Sequence, residues 1–380
     1  MKSLYVLVGL LISALIIGLA CTSTATPTVA STPPAQSQTP PASVIPTTTA
    51  NNTGTSNPIM GPTPGIQIAP SIALTLEDEE IESSMREQIH SLDEKVIAAI
   101  QQGKLDTFLD YFSSDILNSG ETKSQTQNTF PQVVAYSKDK SFKPLRDYYY
   151  RSTDVPGTCV VLAKNDDDFQ VNLKAYTNEM FISLMQTNGQ FNELLFSLVY
   201  AKANDVWKLQ LCHLGEIRVS QKNAIQWNKE SMEYYEEGFL TPAFLRAQIT
   251  QECLAPAPFL SYKSNAEITN FLEKINGEWK QKYPSPVPVS ALQSKPVVFN
   301  ITPQFVTGEI IPAVRYVTTY KDGDIQNIKN EANLMAPIVS DMFPGISQDT
   351  HYILFKAYYE LPIDPSKNYS VWSTIVEIKK

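Results

Sequence analysis

The chain has 380 residues, 43% of them hydrophobic, and a formal net charge of −9. That is enough apolar material for a sizeable core, and an acidic balance that argues against nucleic acid and against electrostatic attachment to anionic lipid. Three histidines, and four cysteines without a CxxC or a Cys/His group at zinc spacing, supply no metal motif. No GxSxG, HExxH, P-loop or GxGxxG pattern is present, which removes the hydrolases, zinc peptidases and nucleotide enzymes built on them and implies no cofactor.

In chain order, the first segment is the most informative. Lys2 is the only charged side chain before Glu77. Leu4 to Ala20 is an unbroken run of 17 apolar and small residues, between a secretory core and the ~20 residues that span a bilayer. It ends Gly18-Leu19-Ala20-Cys21. The small residue before Cys21 resembles the lipobox of bacterial lipoproteins, with Gly18 where that family usually has Leu. The resemblance implies that residues 1–20 are a signal peptide, that Cys21 carries lipid such as palmitate, and that the chain is held at the cell membrane facing the extracytoplasmic side. An uncleaved anchor and ordinary secretion are the other fates of such a segment, and all three put the body outside the cytoplasm. Residues 21–74 then read as a disordered linker. Ten of the 26 prolines fall in 22–72, with no charge and few residues able to bury apolar area, so nothing offsets the entropy of ordering it. As a flexible coil it reaches roughly 40 Å.

Residues 75–220 form the next unit. Thr75-Leu76-Glu77-Asp78 has the form of a capping box, and Ile81, Met85, Ile89, Leu92, Val96 and Ile100 recur as one helical stripe ended by Gly103. A second short helix carries Leu105, Phe108, Leu109 and Phe112 inward. A polar, helix-poor stretch follows, then strands at Cys159 to Lys164, Phe169 to Tyr176, Glu179 to Gln186, Asn192 to Lys202 and Val206 to His213, joined by short turns as in an antiparallel meander. The helix pair ending Gly103-Lys104-Leu105-Asp106 and Phe108-Leu109-Asp110-Tyr111-Phe112, with Asp205-Val206-Trp207-Lys208-Leu209 near the end, resembles the NTF2-like cone domains. That resemblance implies a bent sheet wrapped over helices, with a pocket inside. Cys159, Cys212 and Cys253 permit at most one disulfide; buried thiols and a Cys159–Cys212 pair are both open.

Residues 221–285 read as a helical segment, in which Trp227, Tyr234, Gly238 and Ala243 are placed as in a single tetratricopeptide-like hairpin; one copy builds no solenoid, so a hairpin packed on the preceding sheet is expected. Pro284-Ser285-Pro286 marks a boundary. Residues 286–380 then read strand, strand, helix, strand, strand, a small α+β domain. The whole is α+β.

Strict alternation puts Trp207, Leu209, Leu211 and His213 on one strand face. If that face lines the cone, His213 is a candidate general base, with Asp110 and Tyr111 as partners. A hydrogen-bonded His at the sheet's end and a solvated Asp110 are the plain alternatives. Asp166-Asp167-Asp168 is a turn rather than an EF-hand loop, and Tyr148-Tyr149-Tyr150-Arg151 reads as half-buried strand tyrosines or as a sugar-stacking surface. The resulting expectation is a lipid-anchored, non-enzymatic binding module taking a small apolar ligand or a protein partner. The alternative is an NTF2-like lyase, isomerase or hydrolase with His213 as base.

Overall fold

A computed structural model describes residues 73–118, 120–153, 159–162, 169–189, 192–306, 309–364 and 367–378; Cys21, the linker and the Asp166 to Asp168 turn lie outside them. From Ala73 the chain runs β1 (Ala73–Glu77), α1 (Ser83–Gln101), α2 (Leu105–Leu109), α3 (Ser114–Asn118), α4 (Gly120–Ser137), β2 (Phe142–Ser152), β3 (Cys159–Leu162), β4 (Phe169–Lys174), β5 (Glu179–Thr187), β6 (Asn192–Ala203) and β7 (Val206–Val219). It continues α5 (Ala224–Glu236), α6 (Leu240–Leu254), β8 (Leu260–Tyr262), α7 (Asn265–Lys282), β9 (Val287–Pro288), β10 (Val297–Val306), β11 (Glu309–Val317), α8 (Ile325–Met342), β12 (Tyr352–Tyr358) and β13 (Val371–Glu377). The architecture is α+β. An antiparallel sheet of order β1-β2-β5-β6-β7 carries helices on one face, a mixed sheet of order β13-β12-β11-β10-β9 carries α8, and a small sheet β3-β4-β8 is hydrogen-bonded to neither.

Three expectations for the N-terminal part are corrected. Thr75 does not cap a helix: Ala73 to Glu77 pair with Tyr148 to Ser152 as an edge strand, and the capping box forms instead between Glu77 and Glu80. Five residues in antiparallel register with β2 satisfy several backbone groups at alternate positions, which outweighs one side-chain cap. The polar stretch after Phe112 is helical, because α4 turns Thr126, Phe130, Val133 and Ser137 toward α1 at helical spacing. Gln101 Nε2 donates to the carbonyls of Ser137 and Lys140 at 2.8 and 2.7 Å, fixing the ends of the two helices together. The meander is also interrupted. β2 pairs directly with β5, while the β3–β4 hairpin folds over the sheet's second face, where Val171 and Leu173 join Tyr148, Tyr150, Ile182, Leu195 and Leu211 in a core.

Both faces of the large sheet are therefore covered. The first meets α1, α2 and α4 through Ile89, Val96, Phe108, Phe130, Phe181, Phe196 and Leu209. Tyr148, Tyr149 and Tyr150 are buried on alternate faces, so none offers a stacking surface. Cys212 and Cys253 are buried free thiols, and Cys212 faces the helices, away from the β3–β4 hairpin. That geometry forms no Cys159–Cys212 bridge.

The helical segment is a hairpin, α5 and α6, followed by α7. Phe244 stacks on Trp279 with ring centroids 4.1 Å apart, and Trp279 meets Phe343 at 5.8 Å, so one aromatic stack joins α6, α7 and the end of α8. Arg246, buried in α6, lies over the Tyr234 ring and pairs with Asp349, which also accepts from the Tyr234 hydroxyl. The boundary expected at Pro284 to Pro286 is thus bridged by a shared core. The C-terminal elements follow the sequence reading closely, with β11 and β12 parallel and connected through α8. No helix among the described residues is long and apolar enough to cross a membrane.

Candidate functional site

A β-bulge decides the fate of His213. Val199 pairs with Leu211 and Tyr200 with Leu209, so Gln210 is an extra residue on β7. One extra residue reverses the parity of every later side chain. Trp207 and Leu209 face the helices, Leu211 faces the opposite core, and Cys212 and Leu214 return to the helix side. His213 falls on the second face, where a Cβ added at Gly215 would lie 3.1 Å from His213 Nε2 and 2.3 Å from the Pro256 carbonyl oxygen. Burial among these groups holds its imidazole down to about 4, a neutral, enclosed ring.

The other two candidates do not meet it. Asp110 is exposed, and its carbonyl accepts from Lys208 Nζ at 2.9 Å. Tyr111 is half-buried, and its carbonyl accepts from the Leu209 amide at 2.8 Å. Both lie near the start of β7, with His213 four residues further on and turned to the other face. The interior of the helix-and-sheet layer is filled. A void of about 20 Å³ remains among Ile100, Phe108, Phe130, Val133, Cys212, His213 and Leu214, room for one water and no more, so His213 borders the helix side without meeting a space that could hold a substrate.

Sequence reasoning missed the polar cluster under α1. Arg86, His90 and Asp93 share one helix face at i, i+4 and i+7. Asp93 is fully buried: Ser183 Oγ donates to its Oδ2 at 2.7 Å and the Tyr200 hydroxyl to its Oδ1 at 2.7 Å. Burial pushes this carboxyl up to about 7, against the two hydrogen bonds. One turn away, His90 Nε2 lies 2.8 Å from Asp147 Oδ2, and that hydrogen bond raises the imidazole's pKa despite partial burial. Asp147 is held in turn, its amide donating to Asp78 Oδ1 at 2.9 Å while Arg146 pairs with Asp78 Oδ2 at 2.5 Å. The His90–Asp147 pair and Asp93 influence each other through charge alone, the nearby carboxylate raising the imidazole and the imidazole lowering the carboxyl. The void described above is not lined by Asp93. The signal in the sequence was an acid at position 93, between the stripe residues Ile89 and Val96.

Open space lies in the C-terminal α+β part of the chain. A cleft of about 290 Å³ is lined by Asp322, Ile325, Tyr359, Ser370, Val371 and Trp372. It sits beyond the C-terminal ends of the parallel strands β11 and β12, where the chain turns through Gly323, at φ +89°, into α8. This edge of a parallel pair is where open α/β sheets place ligands. Ile325 is 51% exposed and Val371 41%, and the Tyr359 hydroxyl donates to Asp322. Among the described residues no group of three or more His, Cys, Asp or Glu side chains could hold a metal ion. Comparison of the chain with protein-family models, with curated proteins and with solved structures finds no match in any of the three.

Proposed function

We propose that this chain is a lipid-anchored extracytoplasmic protein and a non-enzymatic binding module, whose ligand is held at the C-terminal cleft rather than inside an NTF2-like cone. Anchoring rests on Ala20-Cys21 behind an apolar run and before an uncharged, Pro-rich stretch that works as a spacer. The NTF2-like relation is supported by helices packed on one face of an antiparallel sheet with β5, β6 and β7 as its meander. One observation carries the functional reading: about 20 Å³ of free space inside that layer against about 290 Å³ in the cleft. Against the enzymatic alternative stand the lack of substrate room at the void His213 borders, its imidazole against Gly215, and its separation from Asp110 and Tyr111, whose carbonyls meet Lys208 and Leu209.

The four tryptophans allow a direct test. Trp207 lies in the helix-side core and Trp372 in the cleft wall. The full chain labelled with 5-fluorotryptophan is titrated by fluorine NMR with neutral, cationic and anionic fragments, each signal assigned by a Trp→Phe variant. The reading expects the Trp372 signal to move while Trp207 stays. Movement of Trp207 alone restores the cone as the site. For the anchor, radiolabelled palmitate enters the parent chain and not Cys21→Ser; equal labelling of the two removes Cys21 as the lipid site.

A further inference from the structure

The walls of the cleft carry one charge and two aromatic rings, and no cation. We propose that its ligand presents an alkylammonium group, bound between the Asp322 carboxylate and the faces of Tyr359 and Trp372. This deepens the reading above and rests on it.

The charge argument comes first. Asp322 accepts a hydrogen bond from the Tyr359 hydroxyl, but among the described residues no Lys, Arg or His forms an ion pair with it. Lys367, on the loop leading into β13, is already paired with Glu360. A carboxylate on the rim of a cleft, without a counter-charge of its own, favours a cation there. The rings add to this. The faces of Trp and Tyr carry negative charge density, and they attract ammonium groups most strongly when the cation is partly desolvated. Ile325 and Val371 supply that apolar shelter for the carbons next to the nitrogen.

A helix N-terminus argues for an anion, and α8 begins at this rim. Here, however, Asp324 occupies the N-cap position of α8 and Asp322 lines the cleft, so an incoming anion meets two carboxylates within three residues. Repulsion at that range outweighs a dipole worth half a charge. A neutral polyol would stack on the rings yet leave the charge of Asp322 unmatched. The ammonium group is the one chemistry that uses the carboxylate, both rings and the apolar rim together. It occurs on choline-type headgroups and on lysine side chains alike.

The test uses the fluorotryptophan-labelled full chain. Choline is compared with 3,3-dimethylbutan-1-ol, which has its shape without the charge, and Nα-acetyl-lysine methylamide with its norleucine counterpart. Each cationic probe is expected to move the Trp372 signal with a dissociation constant of about 1–10 mM, and its neutral twin to bind about tenfold more weakly or not at all. Asp322→Asn, at an exposed position, leaves the melting temperature unchanged and removes about tenfold of the affinity for the cation while sparing the neutral probe. A stronger response to choline than to the lysine probe points to a headgroup as source, and the reverse order to a protein partner; either supports the ammonium. Equal binding of cation and twin, or an unchanged cation affinity in Asp322→Asn, overturns the ammonium inference, and the cleft stands as the site if Trp372 still moves. Silence of Trp372 toward both cationic probes overturns it as well, and silence toward every fragment also sinks the cleft as a binding site.

Discussion

Two layers of this molecule solve the same problem differently. In each, a helix lies on a sheet and buries a carboxyl against hydroxyls from the strands below. On the N-terminal sheet the group is Asp93, with Ser183 and Tyr200 donating to its two oxygens. On the C-terminal sheet it is Glu331 of α8, 3% exposed, with Thr318 Oγ1 donating to Oε2 at 2.8 Å and Tyr316 beside it. Burial, then the charge of Glu331, pushes the Tyr316 hydroxyl well above the usual phenol range. The layers differ in what surrounds the carboxyl. Asp93 is enclosed on a sheet covered on both faces, whereas the C-terminal sheet ends in an open cleft. A closed layer can carry stability and its pH dependence; an open one can carry recognition.

The strongest blow to the closed layer is a charge in its core. Leu209 is 0% exposed between Trp207 and the helices. Leu209→Asp should cost about 3–5 kcal/mol in a urea melt, because the carboxylate must stay unpaired or take up a proton. The neighbouring Gln210 points elsewhere, yet it is 8% exposed and accepts from Ser113 Oγ at 3.3 Å. Gln210→Asp is therefore expected to cost about 1–3 kcal/mol. A neutral Gln210→Asp would mean that water reaches the bulge, and the contrast between the layers would shrink.

The elements of both layers were largely legible in the sequence, but the contrast between them was not, since a pocket was expected inside the N-terminal layer, and the reasons are local. The C-terminal strands and α8 were readable because each is a short periodic run bounded by Gly, Pro or Asp turns. The β5–β6–β7 meander was readable for the same reason. The interruption by β3–β4 was not, since strand partners across a folded-over hairpin leave no mark on periodicity. α4 hid because Thr126 and Ser137 occupy inward positions that pattern reading scores as polar. Asp93 hid because a carboxyl on an apolar stripe looks like a solvated position until its hydroxyl partners, 90 and 107 residues away, are brought to it. His213 was misplaced by a single bulged residue.

The second prediction concerns acid and base. Asp93 has a folded pKa of about 7, above that of an unfolded carboxyl. Its stabilising contribution is fully present below the unfolded value and is lost as pH rises through 7. His90, raised by Asp147, acts with the same sign: present below the ordinary imidazole value and lost as pH rises through the raised one. His213, lowered to about 4, acts oppositely, its contribution being lost as pH falls from about 6.5 toward 4. Between about pH 4 and 6.5 the opposite slopes of Asp93 and His213 nearly cancel, so stability should be flat there and fall on the order of 1 kcal/mol between pH 6.5 and 8, where Asp93 and His90 act alone. Asp93→Asn should flatten the alkaline limb. An unchanged limb in that variant would assign the pH dependence elsewhere.

A smaller pair of changes sharpens the comparison. Ser183→Ala and Thr318→Val each remove one hydroxyl from a buried carboxyl, at about 1–3 kcal/mol. Ser183 also holds the pKa of Asp93 down, so its loss should move the alkaline limb to higher pH as the midpoint of proton release rises further above the unfolded value. Equal melting curves for parent and Ser183→Ala across pH 5–8 would show that solvent takes over the hydroxyl's place.

The smallest expected effect is none at all, and it concerns the edge where the closed layer begins. Residues 22–72 hold no charge and little apolar bulk, so deleting them removes no core. β1 is different, for Ala73 to Glu77 pair with β2 across its outer edge, and Glu77 is 8% exposed. A chain starting at Ser71 should melt with the chain starting at Cys21, within about 0.5 kcal/mol. A chain starting at Asp78 should lose about 1–3 kcal/mol, because the backbone of Tyr148 to Ser152 gives up its strand partners. A clear loss already in the Ser71 chain would mean that the tether docks on the body, and the boundary between spacer and fold would then lie upstream of β1.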